Sequence, residues 1–241
     1  MTRTLHNLIG GEWAPSSAAD ASAVRNPATG ETIALHPRST LGEVDAAIDA
    51  ARAAFTGWRM TPVPTRAAFM FRYRHLLTAH TDELASIISA ENGKTIAEAK
   101  GELLRAIQYV EHAAAAPETM KGSVTENIGT GVDIEFIREP LGVFAVIAPF
   151  NFPAMIPLYF TWAVATGNTV VVKPSSEVPN SQTFLTELAE EAGFPPGVWN
   201  MVHGGRTVVN GMLEHPDIKG ITFVGSTPVG RDVIYRRCGE T

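Results

Sequence analysis

The sequence has almost no cysteine and no long apolar run. Its 241 residues contain a single cysteine, Cys238, which excludes an internal disulfide framework and points to a reducing compartment. A membrane span needs roughly 18 to 20 uninterrupted apolar residues, but the most apolar stretch, residues 141–165, is broken by Pro149 and Pro153. Residues 1–20 lack the apolar core of a signal peptide. We therefore expect a cytoplasmic protein without a membrane partner.

Clustered positive charge is also missing. The chain carries 19 Lys and Arg against 25 Asp and Glu, a formal net charge of -6, and its basic residues are scattered. Binding to nucleic-acid phosphates needs clustered Lys and Arg, so we expect no nucleic-acid partner. Apolar residues make up 45% of the chain, which is typical of a globular protein with a sizeable core.

Helical periodicity dominates residues 1–121. Apolar residues such as Val44 and Ile48 recur at three- or four-residue spacing, the pattern of amphipathic helices. The predicted helices cover 41–58, 65–80, 81–90 and 95–121, the last of them closed by Gly122. Ahead of them, residues 7–13 predict a short hairpin around Gly10.

The rest of the chain follows a different pattern. Residues 132–138 alternate apolar with charged side chains, which predicts a half-buried strand. Beyond it, we predict strands at 143–147, 169–172, 198–202 and 220–224, and helices at 153–166, 181–192, 207–214 and 227–237. This alternation predicts an α/β fold with a doubly wound, Rossmann-like parallel sheet. Such sheets bind ligands at the carboxyl ends of their strands, so the chemistry is expected in the turns that follow.

The first of these turns contains Asn151 between Pro149 and Pro153. A stiffly held amide could donate its N–H to an oxygen that becomes negative when a carbonyl is attacked. Alternatively, Asn151 merely caps the following helix.

Three further strand ends are informative. Lys173 directly follows a buried strand, where it would either face a ribose or phosphate or simply extend past the sheet edge to solvent. The turn at 203–206 offers glycine N–H groups beside a helix start, a possible anion site. At 223–230, Gly225 would allow close backbone approach, but the spacing differs from the dinucleotide fingerprint Gly-x-Gly-x-x-Gly.

These turns occur together, in this order, in one enzyme family. The motifs are Pro-Phe-Asn-Phe-Pro at 149–153, Gly-Asn-Thr-x-x-x-Lys-Pro-Ser at 167–175 and Phe-x-Gly-Ser-Thr-x-x-Gly at 223–230. On these motifs the sequence resembles the amino-terminal part of the aldehyde dehydrogenase superfamily. Segments at 91–95, 100–113, 151–157 and 208–219 narrow the resemblance to the CoA-acylating methylmalonate-semialdehyde dehydrogenase branch.

The resemblance implies a role for individual residues. Asn151 would be the catalytic oxyanion donor, and Arg105 would bind the substrate carboxylate, for which a guanidinium fork is suited. The alternative for Arg105 is a surface arginine paired with Glu102. The residues implied at the NAD site are Ala148, Phe150, Lys173, Ser176, Glu177, Gly225 and Ser226.

The resemblance also implies a reaction and an organisation. The family reaction would be the NAD-dependent oxidation of malonate or methylmalonate semialdehyde to an acyl-CoA, in a homo-oligomer, dimer or tetramer. Residues 1–241 would form an incomplete NAD-binding domain: a helical region at 1–121, an oligomerisation-type strand region at 122–140 and βα units at 141–241.

The family's nucleophilic cysteine would lie beyond residue 241, so this chain alone is expected to be inactive. Cys238 lies only twelve residues after Ser226 and is not expected to replace that nucleophile. Two alternatives stay open: a non-acylating dehydrogenase of another small aldehyde, and a non-catalytic nucleotide-binding remnant.

One departure concerns the cofactor. Where the family usually has an acidic residue for the adenine ribose hydroxyls, this chain has Ser176, and Glu177 follows one position later. An uncharged serine repels a 2′-phosphate less than a carboxylate does. We therefore expect weaker discrimination between NAD and NADP, unless Glu177 takes over that role.

Overall fold

The computed structural model describes residues 2–231, and its centre is a six-stranded sheet with helices on both faces. The strands are β1 (Arg3–Thr4), β2 (Asn7–Ile9), β3 (Glu12–Ala14), β4 (Ala21–Arg25), β5 (Thr32–Pro37), β6 (Ser123–Gly129), β7 (Val132–Phe136), β8 (Val143–Ile147), β9 (Thr169–Lys173), β10 (Trp199–Met201) and β11 (Ile218–Phe223). The helices are α1 (Leu41–Trp58), α2 (Val63–Ala79), α3 (Thr81–Asn92), α4 (Ile96–Ala114), α5 (Ala116–Thr119), α6 (Ile156–Ala165), α7 (Pro179–Glu191), α8 (Arg206–Glu214) and α9 (Thr227–Val229). A 3-10 turn, Pro153–Met155, precedes α6.

The central sheet has the strand order β11-β8-β9-β10-β2-β3. Its first four strands are parallel, as the alternation of strands and helices predicts. The hairpin β2–β3 joins the same sheet through an antiparallel pairing of β2 with β10. The predicted doubly wound α/β sheet is therefore confirmed, with an antiparallel extension at one edge.

The apolar runs of β8 and β9 are buried because each strand has a helical layer on both sides. Val170 and Val172 pack in a core with Phe160 of α6. Val171 points to the opposite face and packs with Ile48 of α1. Alternate side chains thus enter two different cores, which explains why β9 has no polar face.

Two predictions for the first half need correction. The region 1–121 is helical only from Leu41, because β1 to β5 precede the first helix, and three of them form a separate sheet in the order β1-β5-β4. The predicted helix 95–121 ends at Ala114, and α5 is a separate turn. Pro117 explains the break, because a proline inside a helix has no N–H to donate and clashes with the preceding turn.

The strand at 132–138 was predicted to be half-buried, and this is wrong for the described chain. It is β7, it pairs antiparallel with β6, and every residue of both strands is exposed. Val132, Ile134 and Phe136 share one face of this hairpin, since side chains alternate along a strand. The hairpin therefore displays an exposed apolar stripe. Among residues 2–231, the guanidinium carbon of Arg138 lies over it, 5.1 Å from the centroid of the Phe136 ring.

Two predictions concern residues beyond Arg231, which lie outside the described residues. Of the predicted helix 227–237, the structure describes residues 227–231, in which α9 covers Thr227–Val229; the remaining residues and Cys238 lie outside the described residues. Within residues 2–231, no helix combines the length and the apolar character that crossing a membrane requires.

Candidate functional site

The predicted site residues gather where parallel strands end. β8, β9 and β11 run side by side, so the turns that follow them open at the same edge of the sheet. The N–H of Ala148 donates to the carbonyl of Lys173 at 3.0 Å, which joins the first two turns directly. Gly225 and Ser226 follow β11 at this edge.

A first cavity, here called the helix-side cavity, brings Asn151 and Arg105 together. It has a volume of about 570 Å3 and lies between α4 and the turn after β8. Met155 and Tyr159 supply apolar surface to its wall. Two residues 46 positions apart in the chain, predicted as oxyanion donor and carboxylate binder, thus line one volume large enough for a small aldehyde.

The alternatives for these two residues are not observed. The side chain of Asn151 caps no helix: Phe152 occupies the position before the 3-10 turn, which has no side-chain cap. Arg105 does not pair with Glu102; its Nη1 donates to Gln108 Oε1 at 3.1 Å. Glu102 is instead buried and paired with Lys94.

Lys94 and Glu102 fix the backbone around Asn151. Lys94 Nζ donates to the carbonyl of Asn151 at 2.7 Å and to Glu102 Oε2 at 2.5 Å. Glu102 Oε1 accepts from the N–H of Ala154 at 2.6 Å. Burial raises the pKa of Glu102, while the hydrogen bond from Lys94 acts in the opposite direction. The turn is therefore held from both sides by one ion pair, and Lys94 also lies 4.2 Å from the centroid of the Phe152 ring.

Lys173 does not reach past the sheet edge to solvent; it is buried. Its Nζ donates to the carbonyls of Pro174 at 2.7 Å and Gly204 at 3.4 Å. Burial lowers the pKa of Lys173 to about 8. An ammonium has three donors, so one remains beyond these two bonds. Ser176 Oγ donates to the same carbonyl of Gly204 at 3.2 Å, which ties the turn at 173–176 to the turn at 203–206.

A second cavity, the turn cavity, is lined by Phe150, Ser176 and Glu177 and has a volume of about 600 Å3. Its walls are fixed by two buried side chains. Gln182 accepts from the N–H of Ser175 at 2.6 Å and donates to the carbonyl of Pro149 at 3.0 Å. Three of the predicted nucleotide residues therefore share one opening beside the strand ends.

Glu91 is a buried acidic residue on the wall of the turn cavity. It accepts from the N–H groups of Asn180 and Ser181, both at 2.8 Å, and from the Ser181 hydroxyl. These are free donors of the first turn of α7, so Glu91 caps that helix from outside. Burial raises the pKa of Glu91 to about 7, although the hydrogen bonds oppose the shift.

A third cavity, the arginine cavity, adjoins the second because Ser176 and Glu177 line both. Its volume is about 430 Å3, and its wall includes Arg38, Arg206 and His36. The predicted anion turn at 203–206 contributes to it through Gly205 and Arg206.

Gly225 was predicted to allow close approach of a backbone to a phosphate. In the structure, a Cβ at Gly225 would lie 2.5 Å from Cζ of Phe223. The space that glycine leaves is therefore occupied by the Phe223 ring. Ser226 is exposed and precedes α9 without forming a side-chain cap.

Lys94, Glu102, Glu91 and Gln182 have no role in the sequence-based site. Two of them carry a signal that the sequence contains. Glu102 falls on the buried stripe of α4 between Ala99 and Ala106, and Glu91 follows Ile88 on the buried face of α3. An acidic residue on an otherwise apolar stripe must find buried partners, and both do.

Comparison with known proteins gives consistent matches. A model of the aldehyde dehydrogenase family matches residues 13–241. Malonate-semialdehyde dehydrogenase 1 of Geobacillus thermodenitrificans is 51% identical over 235 residues, which cover 97% of this chain and 48% of that protein. The chain thus spans about half the length of the curated relatives that it matches.

Solved structures of related proteins match the fold of this chain. The methylmalonate-semialdehyde dehydrogenase of Oceanimonas doudoroffii superposes with a TM-score of 0.95 and 42% identity, over 100% of this chain and 49% of that one. A protein described as a methylmalonate-semialdehyde dehydrogenase of Sinorhizobium meliloti 1021, complexed with NAD, gives a TM-score of 0.95 and 38% identity, over the same shares of the two chains.

Proposed function

The chain belongs to the aldehyde dehydrogenase family, and from this premise we propose that it forms the nucleotide-binding and oxyanion-binding half of an enzyme that oxidises malonate or methylmalonate semialdehyde to an acyl-CoA. The observation that carries the proposal is the helix-side cavity. It combines an amide donor, Asn151, with a cation, Arg105, in a volume of about 570 Å3. A semialdehyde has a carbonyl at one end and a carboxylate at the other.

Asn151 would stabilise charge on the aldehyde oxygen. When a nucleophile adds to the carbonyl carbon, the oxygen becomes negative, and a preorganised N–H donor lowers the energy of that state. Preorganisation is supported by the ion pair Lys94–Glu102, because it fixes the backbone carbonyl of Asn151 and the N–H of Ala154. The backbone on both sides of the Asn151 side chain is therefore held in place.

Arg105 would bind the carboxylate of the substrate. Its Nη1 donates to Gln108, and its side chain faces the same cavity as Asn151. Glu98 and Glu102 also line this cavity, but Glu102 is paired with Lys94. The charge of Arg105 is therefore not neutralised by Glu102 and is available to a substrate carboxylate.

The turn cavity suits the cofactor. NAD, when bound, accepts the hydride that leaves the aldehyde carbon. Lys173 offers one remaining ammonium donor at the strand end, and Phe150, Ser176 and Glu177 surround an opening of about 600 Å3 beside it. Glycine turns and a buried cation at the carboxyl edge of a parallel sheet fit a dinucleotide. Ala148, Gly225 and Ser226, at the same edge, are proposed as further cofactor contacts.

Three finer points extend the proposal. The acceptor of the acyl group would be CoA, as in the branch that the sequence resembles. The acyl group would first form a thioester with a cysteine beyond residue 241, and its transfer to CoA would be accompanied by loss of CO2. The β6–β7 hairpin, exposed along its whole length, would pair with a second copy in a homo-oligomer. The lone cysteine and the net charge of -6 support a cytoplasmic location without a nucleic-acid partner as part of the proposal.

The test uses the protein that the complete gene encodes. NADH formation is followed with malonate semialdehyde, with and without CoA, and acyl-CoA release is measured by mass spectrometry. Asn151→Ala should lower kcat by a factor of about 10² to 10³. Arg105→Gln should raise KM for the semialdehyde about tenfold, with little effect on propanal, which has no carboxylate.

Arg74→Gln is the matched control for Arg105→Gln, because Arg74 is a helix arginine outside the cavity and is paired with Glu111. Equal effects of Arg105→Gln on the semialdehyde and on propanal would remove Arg105 from the substrate site. NADH formation that does not need CoA and yields a free acid would identify the non-acylating reaction instead.

A further inference from the structure

Tyr159 lines the helix-side cavity, and the reaction described above uses only the apolar surface of its ring. The residue lies in α6 and is half-buried, while the next residue, Phe160, is completely buried and anchors the helix at this point. A tyrosine hydroxyl that is partly withdrawn from water usually has a hydrogen-bond partner. Among residues 2–231, the hydroxyl of Tyr159 makes no hydrogen bond. The cavity wall therefore carries a donor that this part of the chain does not use.

The helices α4 and α6 run past the cavity in the same direction. Near their starts, Glu102 of α4 accepts from the N–H of Ala154, just before α6. Near their ends, Arg66 joins them: its Nε donates to the carbonyl of Ala165 at 2.9 Å, and its Nη2 lies 3.5 Å from the sulfur of Met120, shortly after α4. The two helices thus advance together from the Glu102–Ala154 bond.

This direction places Tyr159 with Arg105. Arg105 follows Glu102 by three residues on the same helix, and Tyr159 follows Ala154 by five, so both lie about one helical turn beyond that bond. Asn151 precedes Ala154 and lies on the other side of the bond. The helix-side cavity therefore has Asn151 at one end and the pair Arg105 and Tyr159 at the other.

The hydroxyl of Tyr159 lies close to α4 and keeps its hydrogen. Burial raises the pKa of Tyr159 above its ordinary value, and the charges of Glu102 and Tyr109, both on α4, raise it further. At neutral pH the group is therefore a protonated phenol that can donate one hydrogen bond.

The acidic groups of the cavity are already engaged, whereas its donors are not. Glu98 accepts from the N–H and the hydroxyl of Thr95, and Glu102 accepts from Lys94. Arg105 uses one of its five N–H groups for a bond within residues 2–231, to the side-chain oxygen of a neighbour on α4. The unused hydrogen-bond capacity beside Arg105 is thus mainly that of donors, and it suits a ligand group that only accepts, such as a carboxylate.

We propose that Tyr159 is a specificity-determining residue whose hydroxyl donates to the carboxylate of the substrate, beside Arg105. The inference rests on the proposed function, which places a semialdehyde in the helix-side cavity. Arg105 is exposed, and an exposed ion pair contributes little because water screens it. A half-buried hydroxyl adds a directional bond from a fixed position, and a carboxylate has enough lone pairs for a guanidinium and a hydroxyl together. An aldehyde without a carboxylate gains nothing from either group.

The test uses the protein that the complete gene encodes and the variant Tyr159→Phe, which removes one oxygen and keeps the ring. KM for malonate semialdehyde should rise about tenfold. Because the carboxylate is bound alike in the ground state and the transition state, kcat should change by less than about twofold. Turnover of propanal should be unchanged, which also shows that the variant is folded. Tyr109→Phe is the matched control, because it removes the same oxygen from a tyrosine of α4 that does not line the cavity.

The outcomes separate this inference from the proposed function. An unchanged KM for the semialdehyde in Tyr159→Phe, or an equal rise for propanal, would overturn the role of Tyr159 and leave the oxidation of the semialdehyde standing. A fall in kcat with both aldehydes would also overturn it, because the hydroxyl would then act at the carbonyl end. A protein that oxidises propanal but neither malonate nor methylmalonate semialdehyde would refute the proposed function and this inference together.

Discussion

Glu91 offers the sharpest prediction about stability. Its carboxylate is buried, caps α7 and has a pKa raised to about 7 from 4.5, chiefly by burial. In the unfolded chain the carboxyl group ionises near 4.5, but in the folded chain it stays protonated up to about 7. Between these values the folded state binds more protons, so stability falls as pH rises.

The size of the effect follows from the same two pKa values. Each pH unit in this window costs about 1.4 kcal/mol. Over the whole window, ionisation of Glu91 should lower the free energy of unfolding by about 3 kcal/mol, and no more is lost above pH ~7. At pH ~4, where both states are protonated, the effect vanishes.

Glu91→Gln removes this ionisation and keeps most of the shape. At pH ~5 the variant should be less stable by about 1 to 3 kcal/mol, because an amide nitrogen cannot accept the hydrogen bonds that a carboxyl oxygen accepts. At pH ~8 the deficit should shrink by about 3 kcal/mol, since only the wild type now holds a buried charge.

The assay is urea unfolding at closely spaced pH values, with the free energy difference between variant and wild type plotted against pH. Taking this difference cancels every other titrating group. Glu126→Gln, on the exposed hairpin, is the control. A flat curve for Glu91→Gln would refute the reasoning, because it would mean that the carboxyl group of Glu91 titrates alike in the folded and unfolded chain.

Three further predictions concern other parts of the fold. Burial lowers the pKa of His203 to about 3, so the folded state excludes the proton and the free energy of unfolding falls by about 1.4 kcal/mol for each pH unit below pH 6.5. In urea unfolding, His203→Gln should therefore lose less stability than the wild type between pH ~6.5 and ~5. Gly197→Ala should destabilise the protein by at least about 2 kcal/mol, because φ is +79° and the new Cβ would lie 2.8 Å from the carbonyl oxygen of Ala50, whereas Gly57→Ala in α1 should stabilise it by up to about 1 kcal/mol. A higher melting temperature for Gly197→Ala than for Gly57→Ala would contradict this. Ile134→Lys should reduce self-association in sedimentation experiments while changing the free energy of unfolding by less than about 0.5 kcal/mol, and unchanged association would remove the hairpin from the proposed interface.

The parts of the fold that the sequence predicted correctly are those with a strong local pattern. α1 starts and ends at the predicted residues, Leu41 and Trp58, and β8 covers the predicted 143–147. Both have a continuous periodicity that needs no information from elsewhere in the chain. The sheet of β1, β4 and β5 was missed because its strands are two to six residues long and only partly buried, so their alternation is weak.

The residues that line the candidate site could be predicted from the sequence, but the residues that hold them in place could not. Asn151 and Arg105 were singled out by motif and by resemblance, and the structure brings them to one cavity. The pairing of Glu102 with Lys94 could not be predicted, because no local sequence pattern determines which of the nearby basic residues pairs with a buried acidic residue. Arg105 is three positions away and Lys94 is eight, yet the hydrogen bond goes to Lys94.

The last residues of α3 and the first residues after it contact both halves of the proposed site. Glu91 caps α7 beside the turn cavity, Asn92 Nδ2 donates to the carbonyl of Phe150 at 3.0 Å, and Lys94 donates to the carbonyl of Asn151. Gly93 makes the turn between them with a φ of +83°. Four consecutive residues thus set the position of the proposed nucleotide site and of the proposed aldehyde site from one reference point. Inserting or deleting one residue here would misalign the two reactants, whereas a longer turn at the tip of the β6–β7 hairpin would leave their alignment unchanged.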